Sequence, residues 1–477
     1  MFHVAIDLGA SNGRVFLGRW TGQTLQVSHS QTDARVSDVV ATRLTSAGTP
    51  RPTPELIEAY RFANAPVFER GHWRWNWPYL RSEIRRGLRK AAELAGHERI
   101  ASLGCCSWAQ DFVMLGADGA MLKNPICYRD EFTRGLPQAF ANVISPDELV
   151  KRAGACISPI TTLCKLKAMQ DRYPELLQKT KIILHMADMV HFDLCGSAVT
   201  DWSFATAGQM FNIAKQEWDF DLLERLDIPA GILPPVAAKS SVIGKISPER
   251  SPHPALDNVE IVSTIHHDTS CATAVLRPLA AGIFFISMGS YAMPGLVLNS
   301  AQWPENADPK KHALIGIAGR RWALFAGCAG LWIIQECCRL WQEEGIQVDY
   351  EHLARLAGKS ACHGVIDLNA PRFSKPANMV AEIKSACREA GLAEPKKIGD
   401  IAKLVFDSLA AGFESGIRGL EKAGPAPCKK LFLIGGGNRN QYLVRQIAAR
   451  IGCEIEVGPA EAAAIGNLTL QHEVVDA

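Results

Sequence analysis

The chain spells out one device twice. "HVAIDLGASNGRVFLGRW" (3–20) is an apolar run, a turn holding Gly9, Ala10, Ser11, Asn12 and Gly13, and a second apolar run. "GIFFISMGSYAMPGLVLN" (282–299) is again an apolar run, a glycine–serine turn and an apolar run. Apolar runs of this length bounded by glycine read as strands, and Asn12-Gly13 is a tight-hairpin dipeptide. A glycine turn that joins two strands does not open a helix, which excludes the P-loop and the dinucleotide fingerprint. Its glycines still admit a phosphate close to the backbone, with N–H groups aimed at it. The repeated device predicts two related α/β halves facing each other.

Between and after the hairpins the periodicity changes. "TLQVSHS" (24–30) reads as a third strand, residues 77–96 as a helix, and "RIASLGCCSWAQDFVML" (99–115) as strand, loop, strand. Helices are expected in "SPDELVKRAGA", "ITTLCKLKAMQDRYPELLQK" and "EWDFDLLERLDI" (217–228). Residues 234–258, rich in proline, serine and lysine, read as a surface excursion. Residues 259–276 read as strand, turn, helix, and residues 429–452 as a strand, a triple glycine and a helix. In "GLWIIQECCRLWQEE" (330–344), Leu331, Ile334, Cys338 and Trp341 form one helical stripe.

Four stretches could carry chemistry. Asp7 ends the first strand beside the glycine turn, where a carboxylate can hold Mg²⁺ directly or through water. In His266-His267-Asp268-Thr269, Asp268 sits where a strand gives way to a helix; the residues alone leave a helix cap, a catalytic carboxylate or a metal ligand open. Gly435, Gly436 and Gly437 mark either a generic tight turn or a close approach to something flat or anionic. Glu461, Ala464 and Gly466 fall at helix-packing positions.

Composition removes other classes. At 477 residues the chain has room for two or three domains, and 47% hydrophobic with 21% charged residues is ordinary for a globular protein. A net charge of +2 gives no reason to expect nucleic acid. None of the 14 cysteines forms a Cys-x-x-Cys, and most lie in apolar runs, as small core residues of a reducing cytoplasm would. The first strand begins near residue 3, which leaves no signal peptide, so a cytoplasmic location is expected. The uncharged stretch 279–298 has a strand–turn–strand rhythm and reads as buried sheet rather than membrane span.

The order of these motifs, an Asp-x-Gly-x-x-x-x-Arg strand pair, a late His-Asp-Thr, a Ser-x-Gly-Ser hairpin, then Gly-Gly-Gly and Glu-x-x-x-x-Gly-Asn, resembles the FGGY carbohydrate kinases of the actin-like ATPase superfamily. "RFANAP" (61–66), "DFVMLGADG" (111–119), "YRDEFTRG" (128–135), "GLWIIQECCRLW" (330–341) and "LFLIGGGNRN" (431–440) look like its rhamnulokinase branch. The resemblance covers nearly the whole chain. It implies an α/β fold of two actin-like (ribonuclease H-like) domains with a central cleft, a sugar-binding domain over 1–278 and a nucleotide-binding domain over 279–477. ATP and Mg²⁺ are the implied cofactors and a ketose or related polyol the substrate; a homodimer is left open.

Carried onto matching positions, the resemblance makes Asp268 the catalytic base and Asp7 the Mg²⁺-associated aspartate. Gly9, Ala10, Ser11, Asn12, Gly13 and Arg14, with Ser287, Gly289 and Ser290, would hold phosphates. Gln335, Gly435, Gly436, Gly437 and Asn440 would meet the nucleotide. Ala109, Gln110, Asp111, His267, Thr269 and Gly327 would face the sugar. The chain departs from the branch at Ala109, Ile160, Thr161 and Gly327, all expected on the sugar side, so L-rhamnulose is expected to be a poor substrate. A chaperone- or filament-type ATPase and a sugar-binding protein without catalysis are the competing readings; neither accounts for both Asp7 and Asp268.

Overall fold

A computed structural model of the chain describes residues 1–20, 44–45, 54–140, 142–276 and 279–476; the strand expected at 24–30 lies outside them. Two sheets organise the molecule. The first contains β1 (Phe2–Leu8), β2 (Asn12–Arg19), β3 (Glu55–Ala63), β4 (Ile100–Ser107), β5 (Ser241–Lys245) and β6 (Glu260–Ser263), in the order β5-β6-β4-β1-β2-β3. The second contains β7 (Phe284–Met288), β8 (Tyr291–Leu298), β9 (His312–Ile317), β10 (Arg321–Ala326), β11 (Lys430–Ile434) and β12 (Glu454–Val457), in the order β9-β10-β8-β7-β11-β12. Residues 44–45 add a short strand beside β12.

Both sheets follow one plan, as the duplicated hairpin predicts. β1 pairs antiparallel with β2 and parallel with β4, and β7 pairs antiparallel with β8 and parallel with β11. β1 and β4 are buried along their whole length, as strands covered on both faces must be, which explains their unbroken apolar runs. β5 departs from expectation. It comes from the proline-, serine- and lysine-rich segment, yet it pairs antiparallel with β6 at the sheet's edge, where polar composition is a protection against stray pairing.

Six helices matter for the site: α1 (Trp77–Ala95), α2 (Asp268–Ala272), α3 (Trp332–Glu343), α4 (Ile398–Ala423), α5 (Gln441–Ile451) and α6 (Ala462–Val475). α6 lies against β1, β4 and α2, so the last helix covers the first sheet. The approach is close: a Cβ on Gly466 would collide with the Cys271 carbonyl, and one on Gly104 would stand 2.5 Å from Asn467 Oδ1. Gly466 thus has the packing role expected of it.

Residues 108–240, between β4 and β5, build a core of their own around Phe112, Leu163, Leu166, Ile183 and Leu222. The helix expected over 217–228 shortens to Phe220–Arg225, capped by Asp219. This segment leans on the edge of the second sheet. Leu314 N–H donates to the Gly154 carbonyl (2.7 Å), Gly316 N–H to Thr206 Oγ1 (3.0 Å), and Trp202 meets Trp322 edge to face at 4.9 Å. Among the described residues no helix is long and apolar enough to cross a membrane, and residues 284–298 form buried strands, as expected.

Candidate active site

A cleft of about 2440 Å³ lies between the two sheets, lined from one side by the β1–β2 turn and α2, and from the other by the β7–β8 turn, α3 and the triple glycine. The strand ends deliver these groups, as open α/β sheets place ligands at the carboxyl ends of their strands.

The first turn is braced by Asn64, a residue the sequence did not single out. Its Nδ2 donates to the Gly9 carbonyl (2.9 Å) and its N–H to the Ser11 carbonyl (3.0 Å), while Gly9 N–H donates to Asn12 (2.8 Å). Asp7 is 2% exposed, and its Oδ2 accepts from Arg14 Nη2 at 2.6 Å. Burial pushes the Asp7 carboxyl above its ordinary value, Arg14 pulls it back, and Glu461 raises it further. Glu461, read from sequence as packing, sends its carboxylate into the cleft. There it pairs with Arg14 on the first sheet and accepts from Arg439 Nη2 (2.8 Å) beyond the triple glycine.

Asp268 opens α2. It does not cap that helix: the N-cap position belongs to His267, and Asp268 Oδ1 accepts from the adjacent Thr269 N–H (2.6 Å) and hydroxyl (3.2 Å). Its side chain is 28% exposed in the cleft. Burial among protein atoms, then the charge of Asp7, push its carboxyl up to about 7, against the hydrogen bonds from Thr269. The loop before it is pinned: Ser107 N–H donates to the His266 carbonyl (2.8 Å), and His267 N–H to Ser203 Oγ (3.1 Å), whose own hydroxyl reaches Asp201 (2.9 Å). His266 is wholly buried and donates from Nδ1 to Asp188 Oδ1 (2.6 Å). Neither histidine is arranged as a metal ligand; His267 Nδ1 pairs with Ser270 Oγ (3.0 Å), and burial lowers its pKa to about 4.

On the second sheet, Ser290 Oγ donates to Gln335 Oε1 (2.9 Å). Gly435 has φ +89°, and a Cβ there would press on the Met288 backbone at 3.1 Å. Gly436, by contrast, has nothing within 4 Å of its Cβ position. Asn440 caps α5 through Leu443 N–H (3.0 Å).

The six expected sugar-side residues do not all converge. Ala109, Gln110, His267 and Thr269 line the first-sheet side of the cleft. Asp111 does not reach it. Its carboxylate is fully buried, accepting from the Trp75 and Trp108 indoles (2.5 and 2.9 Å) and paired with Lys165. Gly327 is exposed and lines the cleft from the second-sheet side, where an added Cβ would first meet the Tyr291 hydroxyl, at 2.5 Å. Ile160 is exposed at the cleft, and Thr161 donates from Oγ1 to the Ser158 carbonyl (2.9 Å).

Comparison with known proteins agrees with this arrangement. Residues 69–275 match the FGGY family of carbohydrate kinases, N-terminal domain, and residues 305–472 its C-terminal domain. The chain is 29% identical to a rhamnulokinase of Oceanobacillus iheyensis over 99% of its length and 93% of that protein's. It is 31% identical to a rhamnulokinase of Klebsiella pneumoniae strain 342, covering 99% and 89%. In fold it is similar to the ligand-bound xylulose kinase from Lactobacillus acidophilus (TM-score 0.75, 13% identity, 99% and 89% covered). It is also similar to Plasmodium falciparum glycerol kinase with ADP (TM-score 0.72, 14% identity, 98% and 88% covered).

Proposed function

The chain belongs to the FGGY family of carbohydrate kinases, and on that premise we propose that it phosphorylates a ketose of the rhamnulose type with Asp268 as its base. The observation that carries the assignment is the position of Asp268: partly exposed in the cleft, its carboxyl raised to about 7, between two glycine hairpins that face each other. Phosphoryl transfer asks for positioning and charge stabilisation more than covalent chemistry. Asp268 accepts the proton of the sugar hydroxyl as that oxygen bonds to the γ-phosphorus, Thr269 holds the carboxylate, and His267 and Thr269 flank the sugar. Backbone N–H groups in the turns Ala10–Gly13 and Ser287–Ser290 receive the phosphate oxygens, Gly9 N–H being held by the Asn12 carbonyl. Arg14 and Arg439, both held by Glu461, supply positive charge from either side. The triple glycine and Gln335 meet the nucleotide. We assign the sugar to residues before 279 and the nucleotide chiefly to those after.

The residues present suit a hydrated Mg²⁺. Asp7, Asp268 and Glu461 offer hard oxygen donors, and Asn12 Oδ1 is buried there without a hydrogen-bond partner among the described residues. One Asp7 oxygen is held by Arg14, so Asp7 would hold the ion largely through water. Bound with ATP, the ion would neutralise phosphate charge.

The experiment is ADP release from ATP measured with and without L-rhamnulose, L-fuculose, L-ribulose, D-xylulose, D-tagatose and D-fructose, followed by NMR of the product. Release that depends on one ketose supports the reading. Sugar-indifferent release, or none, overturns it. Within the panel, the departures at Ala109, Ile160 and Thr161 shift preference away from L-rhamnulose. Gly327, exposed on the second-sheet side of the same cleft, adds to that shift where a sugar reaches it.

A further inference from the structure

At the far end of β1 from Asp7, three side chains meet: His3 from the first strand, and His472 and Asp476 one turn apart on the last helix. Their ligand atoms all lie within 4.8 Å of one another. Asp476 Oδ2 stands 3.0 Å from His3 Nε2 and 2.6 Å from His472 Nδ1. Trp20 stacks on the His472 ring at 4.6 Å and 23°, which fixes its plane.

The protons of this corner can be assigned from one end. The Val4 carbonyl can only accept, so the atom 2.9 Å away is the Gln471 amide nitrogen, which also donates to Asn467 Oδ1 (2.6 Å). Gln471 Oε1 therefore accepts, and the proton it accepts is that of Ser102 Oγ, 2.7 Å away. Ser102 has no second proton to give. Its contact with His3 Nδ1 (2.8 Å) must then be an Nδ1–H donating to Oγ. With Nδ1 protonated, a neutral His3 presents a lone pair from Nε2 to the Asp476 carboxylate. Two lone pairs do not sit 3.0 Å apart without a positive centre between them. A cation can be that centre, and His472 Nδ1 beside the same carboxylate oxygen completes a donor set for one.

We propose that His3, His472 and Asp476 bind a divalent transition-metal ion of the zinc class. Two imidazole nitrogens and a carboxylate oxygen are the donors such ions take, leaving a fourth tetrahedral position to water. Imidazoles also set the site apart from the all-oxygen group around Asp7, since Mg²⁺ takes oxygen ligands. Ser102 holds the non-ligating nitrogen of His3, as outer partners of metal-bound histidines do. The ion joins the start of β1 to the end of α6 and lies apart from the cleft.

The test uses tag-free, full-length, chelator-stripped protein. Titration with Zn²⁺ by calorimetry is expected to show one equivalent bound, and the ion is expected to raise the melting temperature. Co²⁺ is expected to give visible d–d absorption without thiolate charge transfer. Asp476→Asn and His472→Gln, both at partly exposed positions, should each abolish the high-affinity equivalent, and Ser102→Ala should weaken it by about tenfold or more. Absence of saturable Zn²⁺ binding would overturn the proposal. So would binding unchanged in both ligand variants, or a Co²⁺ spectrum with thiolate bands, which would place the ion on cysteines.

Discussion

The guanidinium of Arg129 lies 4.0 Å from the centre of the Trp332 ring. Arg129 belongs to the segment between β4 and β5, and Trp332 opens α3 beside the second sheet, so the contact crosses the cleft that both residues line. A cation over an indole face contributes about 0.5–2 kcal/mol, depending on desolvation. Arg129→Ala is therefore expected to raise the KM for sugar by about 2–30-fold, with Arg129→Lys in between. Steady-state kinetics at saturating ATP measures it; an unchanged KM would separate the contact from sugar binding.

Asp268→Asn is expected to lower kcat by about a thousandfold or more while ATP still binds, because an amide cannot accept the proton. A variant keeping a tenth of wild-type activity would remove Asp268 from the role of base. For the wild type, kcat/KM is expected to rise with pH through about 7, as Asp268 ionises. Because Asp7 contributes to that raised value, Asp7→Asn should move the limb to lower pH. The stability sign is opposite. A carboxyl raised in the folded state binds its proton more tightly there, so stability falls as pH climbs from the unfolded value toward 7. Asp268→Asn is expected to melt above wild type at pH 8, with the gap closing toward pH 4.

Gly466→Ala touches neither substrate nor nucleotide. Its methyl would meet the Cys271 carbonyl, which belongs to the backbone of α2 and has no side-chain freedom with which to yield. Either α6 or α2 must shift, and α2 carries Asp268. The expected result is a lower melting temperature together with a fall in kcat larger than any change in the KM for ATP. An intact kcat in a folded variant would show that α2 does not depend on α6 for its placement.

The triple glycine supplies its own control. Gly435→Ala faces both a left-handed φ and the Met288 backbone, and is expected to destabilise by about 1–3 kcal/mol. Gly436→Ala meets open space, so its melting temperature should match wild type. If the nucleotide lies against this turn, the KM for ATP rises in the Gly436 variant all the same. A normal KM there would move the nucleotide elsewhere.

Lys165→Met is expected to cost about 3–5 kcal/mol, because it leaves the Asp111 carboxylate buried without its countercharge. Chemical denaturation reads this directly. Lys165→Met combined with Asp111→Asn should recover part of the loss.

The two hairpins were legible because a turn between strands restricts which residues can occupy it, and glycine advertises the restriction. Asp268 was legible as a candidate, but the cap reading fell away only once its carboxylate was seen to take the neighbouring N–H rather than one a turn further on. Glu461 was not legible, since its partner Arg14 is 447 positions away and no local pattern marks the meeting. Asp111 did leave a signal. An aspartate inside the apolar run "WAQDFVML" and a lysine inside "TLCKLKAM" are charges that must find each other or water. Gly327 was placed by likeness alone, and likeness does not report that the Tyr291 hydroxyl stands over the position.

The placement of α6 on the first sheet bears on the order in which the molecule can be assembled during synthesis. The strands β1, β2 and β4 leave the ribosome several hundred residues before the helix that covers them, and residues 44–45 leave it before the second sheet they join. Until residue 475 is made, Gly18 and Gly104 lack the helix side chains that lie against them. The nascent first sheet must therefore wait with one face uncovered. Cutting the gene between the two sheets would not yield two self-sufficient products, because each fragment would lack a piece carried by the other. Moving the start point is a milder change. His3 and Asp476 already touch, so a short linker between those two positions could let translation begin elsewhere, with α6 made next to the strands it covers.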